Sequence, residues 1–486
     1  MINIVNTFKN SYLSLMLLIR LISTYSLFWF LTFTSCAEKT KTQPRNMTIE
    51  KDISDIQIYE RGRTTQEVPT WALGTFTIGI ENNQPMIFRP KLNWSGPNAP
   101  EGWKPTKLWN PSLISNNGKL FLFYRAGPKL EGMESRIGVA WSENGVDWED
   151  YTKNPVISPT EDYEILGCEY PKIYKYSDIY YMYYNAIWDK TFKKIKGSLI
   201  TKDNDDLIGV DICLAISKDL LHWEKKGVVV PRSISKNWAK AAVIPRSPIG
   251  EAVKINGEFL MYISERPYAS RQDTLEQLVG HSKDLIHWEF EKKPFMKNQN
   301  NMHSIYEVAS ATTNFPGSDD LILDVFYNNN NEGNRACAQI LYNKNNPYKS
   351  IGFSDYGLCT WGGMLVFKDQ WIFGQGWVEP EAIYLYTSPI SRSWIEVQSM
   401  SLDRKVISRD EFETLEVKVE NIGKSDGVRE IKPLVNGNEL KGIKVELKAG
   451  ESSFVKFVLK KNRPGEYIIK LDDYSCVLEI LLSSEF

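Results

Sequence analysis

Ser217-Lys218-Asp219-Leu220-Leu221-His222-Trp223-Glu224 returns almost unchanged as Ser282-Lys283-Asp284-Leu285-Ile286-His287-Trp288-Glu289. A looser copy, Ser142-Glu143-Asn144-Gly145-Val146-Asp147-Trp148-Glu149, precedes both. The leading Ser residues stand 75 and 65 positions apart. Each copy follows a short β-rich run, residues 137–141 or 212–216 for example. The pattern therefore reads as a strand, a polar turn carrying Asp or Asn, and a second strand begun by Trp. Self-similarity at such intervals marks one supersecondary unit copied along a chain.

Upstream of each copy lies a second pattern, a strand, a Gly or polar turn and an aromatic strand. It spans residues 112–125 around Asn117-Gly118-Lys119, 172–184 around Ser177-Asp178, and 252–264 around Asn256-Gly257. Asn-Gly between alternating apolar residues is a strong hairpin signal. Two more copies follow, residues 320–327 with 336–342, and 364–373 around Lys368-Asp369 with 382–386. Five such units, with almost no helical periodicity between residues 74 and 388, predict an all-β fold, a five-bladed β-propeller whose blades bury their faces against one another. A decorated sandwich would not repeat the hairpin and the Trp turn in register. After residue 394 the texture changes: residues 414–421 alternate strictly, and turn signals at Val435-Asn436-Gly437, Ala449-Gly450 and Pro464-Gly465 space out a small Ig-like β-sandwich.

The 486 residues accommodate both domains. With 58 Lys and Arg against 60 Asp and Glu, no basic excess exists to draw the chain onto a phosphate backbone, so nucleic acid is not expected as a partner. Four His, six Cys and no CxxC or HExxH leave no zinc motif; no loop demands calcium, and no cofactor is expected. Residues 1–35 read as a signal peptide, with Lys9 and Arg20 as their only charges and an apolar, aromatic run over 21–33. Phe33-Thr34-Ser35-Cys36 resembles a lipobox, which would lipidate Cys36 and place the protein in the periplasm or as an outer-membrane lipoprotein, touching the membrane through that anchor only. The resulting organisation is a tether and lead-in over 36–69, a catalytic propeller over 70–393 and an accessory sandwich over 394–486. Five cysteines beyond Cys36 are an odd number and give no pairing.

Inner strands of a propeller converge on an axis, and residues just before them crowd one mouth. Aligned by hairpins, the five entries are Trp109-Asn110-Pro111, Cys168-Glu169-Tyr170-Pro171, Gly250-Glu251-Ala252, Glu307-Val308-Ala309 and Trp361-Gly362-Gly363. Three carry Glu. Carboxylates gathered at one mouth separate into a protonated acid and an ionised base, as glycosidic cleavage requires. The competing reading is that each Glu caps strand amides or pairs with a Lys.

Those entries and the stretches NPSLISNNGKLFLFYRAG, SRIGVAWSENGVDWE, GCEYPKIYKYSDIYYMYYNAIWDK, KINGEFLMYISERP and GGMLVFKDQWIFGQG resemble the five-bladed propeller glycosidases, nearest to glycoside hydrolase family 130 and more distantly families 43, 32 and 117. The resemblance implies an oligosaccharide or polysaccharide substrate, β-mannosides among them, with Arg125, Arg136 and Arg266 as substrate or phosphate contacts and Asn185 and Asp189 as polar ones. Trp109, Trp188, Trp361 and Trp377 lie near predicted mouth loops and are candidates to pack sugar faces; Asn110 and His303 stand beside the mouth. Where the family has Glu-Asp-Pro-Arg, with Asp as acid, this chain has Glu169-Tyr170-Pro171-Lys172. Glu169 takes the acid role, or Tyr170 gives a proton through its phenol, or the protein is an outlying or inactive relative; the adopted reading is Glu169, with Glu251 as base beside Glu265 or Glu307. Carboxylates at 251 and 265 would repel phosphate, so the expectation is an inverting hydrolase, with a phosphorylase or a non-catalytic glycan binder as alternatives. The C-terminal order VENIG, VNGNEL, LKAGES, PGEYIIKL resembles bacterial Ig-like adhesion-related modules.

Overall fold

The computed structural model describes residues 71–73, 76–90, 94, 106–128, 134–189, 208–265, 275–296, 304–313, 318–328, 335–354, 360–376, 379, 381–390, 393–472 and 474–482. The signal peptide, Cys36 and its tether, as well as Arg266, His303 and Trp377, lie outside the described residues. Four antiparallel four-stranded sheets follow one another along the chain. Blade one is Lys107–Asn116, Lys119–Gly127, Arg136–Ser142 and Trp148–Asp150; blade two is Gly167–Tyr176, Ile179–Asp189, Ile208–Ser217 and Glu224–Val228. Blade three is Ala239–Val243, Phe259–Glu265, Glu276–Ser282 and Glu289–Phe290; blade four is Ser304–Thr313, Asp320–Asn328, Arg335–Asn343 and Asn346–Ser354. The fifth blade has three consecutive strands, Leu365–Phe367, Gln370–Gln375 and Ile383–Pro389. It takes its outer edge from the start of the described chain, where Thr77 pairs with Thr387 and Ile78 with Tyr386, while Ile87–Phe88 adds to the same strand. The fold is thus the five-bladed propeller expected, closed by a strand that the sequence did not announce.

Adjacent blades bury one another's faces. Tyr174, Ile212 and Leu214 of blade two pack with Phe259, Met261 and Leu278 of blade three, each such side chain contributing on the order of 1.5–3 kcal/mol of burial. The repeated motif closes each blade's outer hairpin. Ser217 Oγ accepts from the amides of Asp219 and Leu220, Asp219 Oδ1 accepts from those of Leu221 and His222, and Trp223 Nε1 donates to the Leu220 carbonyl. Ser282 and Asp284 repeat the first four bonds, as do Ser142 and Asn144. The third position is left-handed in all three turns, at φ 79° for Gly145, 68° for Leu220 and 64° for Leu285, so only the first copy carries the residue that adopts this conformation without strain.

Blade three departs from the expected register. Its inner strand is Ala239–Val243, upstream of the hairpin read at 252–264. Asn256-Gly257 instead forms a tight turn bridged by Ile255 and Glu258, leading into Phe259–Glu265. The chain between carries Arg246, 2% exposed, onto the propeller axis. Its guanidinium donates to the carbonyls of Leu113 in blade one, Ile173 in blade two and Met364 beside blade five, while its backbone bonds Ala311 and Thr313 of blade four. One side chain on the third blade thereby ties the other four. Blades one and five approach so closely that a Cβ on Gly362 would lie 1.9 Å from the Pro111 carbonyl oxygen.

The C-terminal β-sandwich has Ile395–Leu402, Phe412–Asn421 and Ser452–Lys460 in one sheet, and Tyr474–Leu481 with Gly465–Leu471 in the other. Leu415, Val417, Val419, Phe457, Ile469 and Leu478 fill it. Among the described residues no helix is long and apolar enough to cross a membrane. Cys168, Cys213 and Cys476 are free thiols, and Cys337 is disulfide-bonded.

Candidate active site

A β-strand alternates its side chains between two faces, and a bulge with one extra residue breaks that alternation and re-aims what it carries. The inner strands of blades one to four all bulge: between Trp109 and Ser112, between Glu169 and Lys172, between Ala241 and Val243, and on both sides of Glu307-Val308. The backbone there is left-handed at residues that seldom adopt it, with φ 45° at Asn110, 59° at Tyr170 and 82° at Ala241. Strain of this kind collects at functional sites.

Glu169, 2% exposed, sits between the Arg125 guanidinium of blade one and the Lys240 ammonium of blade three, 3.0 Å away. Burial alone would raise its carboxyl, but Arg125 and Lys240 outweigh burial and hold it below the ordinary range. Glu169 is therefore the ionised carboxylate of the site, which corrects its expected role as acid. Glu307, also 2% exposed, behaves oppositely: burial pushes its carboxyl up, against the pull of Lys172, Tyr170 and Lys240. The Tyr170 phenol is hydrogen-bonded to Glu307. Lys172, deeper in the channel, donates to the carbonyls of Ala309, at 2.7 Å, and Trp361; burial drives its ammonium down to about 7, with Glu307 opposing. Two carboxyls at one mouth thus have pKa values pushed apart, the arrangement that assigns an acid and a base.

Glu251 is not among them. It bridges to Lys175, six residues along the inner strand of blade two from Glu169, or about 20 Å toward the other mouth. The expected base role of Glu251 is overturned because the inner strand of blade three begins at Ala239, and Lys240 occupies the mouth position that the hairpin alignment gave to Glu251. Glu265 does reach this mouth, paired with Ala239 across the strands and 2.8 Å from the Lys236 ammonium. Asn185 pairs with Glu169, donates its amide to the Ala239 carbonyl, and keeps a buried Oδ1 with no hydrogen-bond partner; Asp189 ends the same strand. Asn110 is half-buried at the bulge of blade one, and Arg136, half-buried, opens the third strand of that blade with its guanidinium lowered by burial. The Trp faces expected to meet sugar are largely taken: Arg125 lies 4.8 Å from the Trp109 ring centre and Arg232 lies 4.5 Å from that of Trp188. Trp361 meets the Tyr170 ring edge-on at 6.2 Å. Among the described residues no group of three or more His, Cys, Asp or Glu could hold a metal.

Three cations of the site, Lys172, Lys236 and Lys240, had no assigned role in the sequence. A lysine between Ala239 and Ala241 carries no chemical signature; only the blade register brings it to Glu169.

The sequence profile of glycoside hydrolase family 130, described as beta-1,4-mannooligosaccharide phosphorylase, matches residues 81–343. A 1,2-beta-oligomannan phosphorylase of Thermoanaerobacter sp. (strain X514) is 32% identical over 206 residues, which is 41% of this chain and 57% of the relative. The chain spans about half the length of the curated relatives it matches. Among solved structures, a putative glycosidase from Bacteroides thetaiotaomicron VPI-5482 aligns at TM-score 0.52 and 20% identity, over 67% of this chain and 100% of that one. Another aligns at TM-score 0.51 and 19% identity, over 67% and 97%; its description says that this family of mannoside phosphorylases contains hydrolases that target beta-1,2 mannosidic linkages in Candida mannan.

Proposed function

Because the chain belongs to glycoside hydrolase family 130, whose profile covers more than half of it, we propose that this site cleaves β-mannosides by phosphorolysis, transferring a mannosyl group from an oligosaccharide to inorganic phosphate. The observation that carries the reading is the surplus of cations at the mouth. Arg125 and Lys240 converge on Glu169, Lys236 stands by Glu265, and Glu307 is pushed toward its neutral form. The expectation of hydrolysis leaned on Glu251 as a charge repelling phosphate, and that charge lies at the opposite mouth. A phosphate dianion arriving beside Glu169 meets guanidinium and ammonium groups in a water-poor setting, where such contacts are strong.

In this mechanism a phosphate oxygen attacks the anomeric carbon, the glycosidic C–O bond breaks with its electron pair going to the leaving oxygen, and an acid protonates that oxygen. Attack from the face opposite the leaving group inverts the anomeric centre. Glu169, ionised between its two cations, orients the nucleophile. Hydrolysis is the second reading, favoured by the buried Glu265 carboxylate at the same mouth. Incubating β-1,2- and β-1,4-linked mannooligosaccharides with and without phosphate separates the two. Phosphate-dependent release of mannose 1-phosphate supports phosphorolysis; free mannose at the same rate without phosphate overturns it in favour of hydrolysis; binding without turnover, unchanged in Glu169→Gln, leaves a glycan binder. We also propose export and lipid anchoring at Cys36, supported by the disulfide at Cys337, a bond that persists in oxidising compartments.

A further inference from the structure

The reading above leaves the proton donor unnamed, and the following inference, which rests on it, supplies one. Tyr170 occupies the bulge next to Glu169, 4% exposed, in a left-handed backbone conformation that is strained for an aromatic residue. Its ring is fixed on two sides, by the edge of Trp361 at 6.2 Å and by the Lys172 ammonium 4.6 Å from its centre. Its hydroxyl meets the Glu307 carboxyl, which comes from blade four on the other side of the channel. Glu307 is as buried as Glu169, and the phenol stands at its oxygen. The chain therefore holds a rigid phenol, under strain, between an enclosed carboxyl and the carboxylate of Glu169.

We propose that Tyr170 gives its phenolic proton to the departing glycosidic oxygen and is reprotonated in the same step by Glu307, the two side chains forming a relay across the channel. As the bond to the leaving oxygen breaks, that oxygen takes the Tyr170 proton, Tyr170 takes the Glu307 proton, and Glu307 is left as a carboxylate facing Lys172. The phosphate monoester formed at the anomeric carbon carries one acidic proton, and its loss restores Glu307. Overall the mannoside and hydrogen phosphate become mannosyl phosphate dianion and the free alcohol. Tyr170 is the catalytic residue of this pair and Glu307 acts through it. The charged and titratable groups facing Glu307 are Tyr170, Lys172 and Glu169 from blade two and Lys240 from blade three.

The test compares two substrates in the presence of inorganic phosphate: β-mannobiose, whose leaving alcohol needs a proton, and a dinitrophenyl β-mannoside, whose leaving phenolate does not. Tyr170→Phe is expected to lose about 10²–10⁴-fold in kcat/KM on mannobiose and less than about tenfold on the aryl mannoside. Glu307→Gln is expected to show the same split and to lose the alkaline limb of the wild-type pH profile on mannobiose, a change that altered packing alone would not produce. Circular dichroism melts report whether each variant is folded. If Tyr170→Phe does not fold, the substrate split in Glu307→Gln decides. Equal losses on both substrates in a folded variant, or mannobiose turnover within tenfold of wild type, overturn the relay while the proposed function stands. A wild-type protein that cleaves neither mannoside overturns the proposed function, and the relay with it.

Discussion

The outer hairpins of this propeller and the inner ends of its blades follow opposite rules. In the outer turns of blades one to three, a Ser hydroxyl and an Asp or Asn carbonyl oxygen make the same four bonds to backbone amides. At the mouth, the corresponding strands present Trp109, Glu169, Lys240 and Glu307, four chemistries in four blades. Backbone demand is the same in every blade, so it selects the same residues each time. A substrate has no fivefold symmetry, so the face that meets it cannot repeat.

Substitutions on the two sides of that contrast should separate cleanly. The largest effect is expected from Glu169→Gln, which removes the ionised carboxylate between Arg125 and Lys240: turnover measured as sugar phosphate release should fall by about 10³-fold with little change in melting temperature. Equal activity in that variant would move the chemistry elsewhere. Next is Arg246→Met, which orphans three buried carbonyls on the axis and should cost about 3–5 kcal/mol in denaturant unfolding. An unchanged midpoint would deny Arg246 its place in holding the blades.

Lys172 gives a smaller effect with a definite sign. Its ammonium titrates at about 7 in the folded chain against 10.5 ordinarily, so between those values the unfolded chain holds more protons and stability rises with pH. The wild type should gain roughly 2 kcal/mol from pH 7 to 9, and Lys172→Met should lose that slope; a slope that survives the substitution belongs to another group. The smallest effect is expected from Ser282→Ala in an outer turn, about 1 kcal/mol of stability and no loss of turnover. A catalytic defect there would erase the contrast.

The same division explains what could be read from the chain alone. The Ser-x-Asp turns and the Trp that follows them are local, and they announce the blades. Glu169, Tyr170, Asn185 and Glu307 were within reach because each lies next to a recognisable strand start. Glu251 was misplaced because Asn256-Gly257 reads as the hairpin of an inner strand, when the inner strand ends at Val243 and the intervening chain delivers Arg246 to the axis. Lys240 was invisible, since a bulge leaves no compositional trace and a lysine beside two alanines suggests only a solvated surface.

The pairing of Thr77 with Thr387 has a consequence for how the molecule comes into being. Four blades complete themselves from neighbouring sequence and can assemble as they are made, but the ring stays unlatched until nearly the whole propeller has emerged and its first strand finds its last. Contacts between such distant parts of a chain form slowly, so an open-ring intermediate with a bare sheet edge should be the longest-lived species on the way to the native protein.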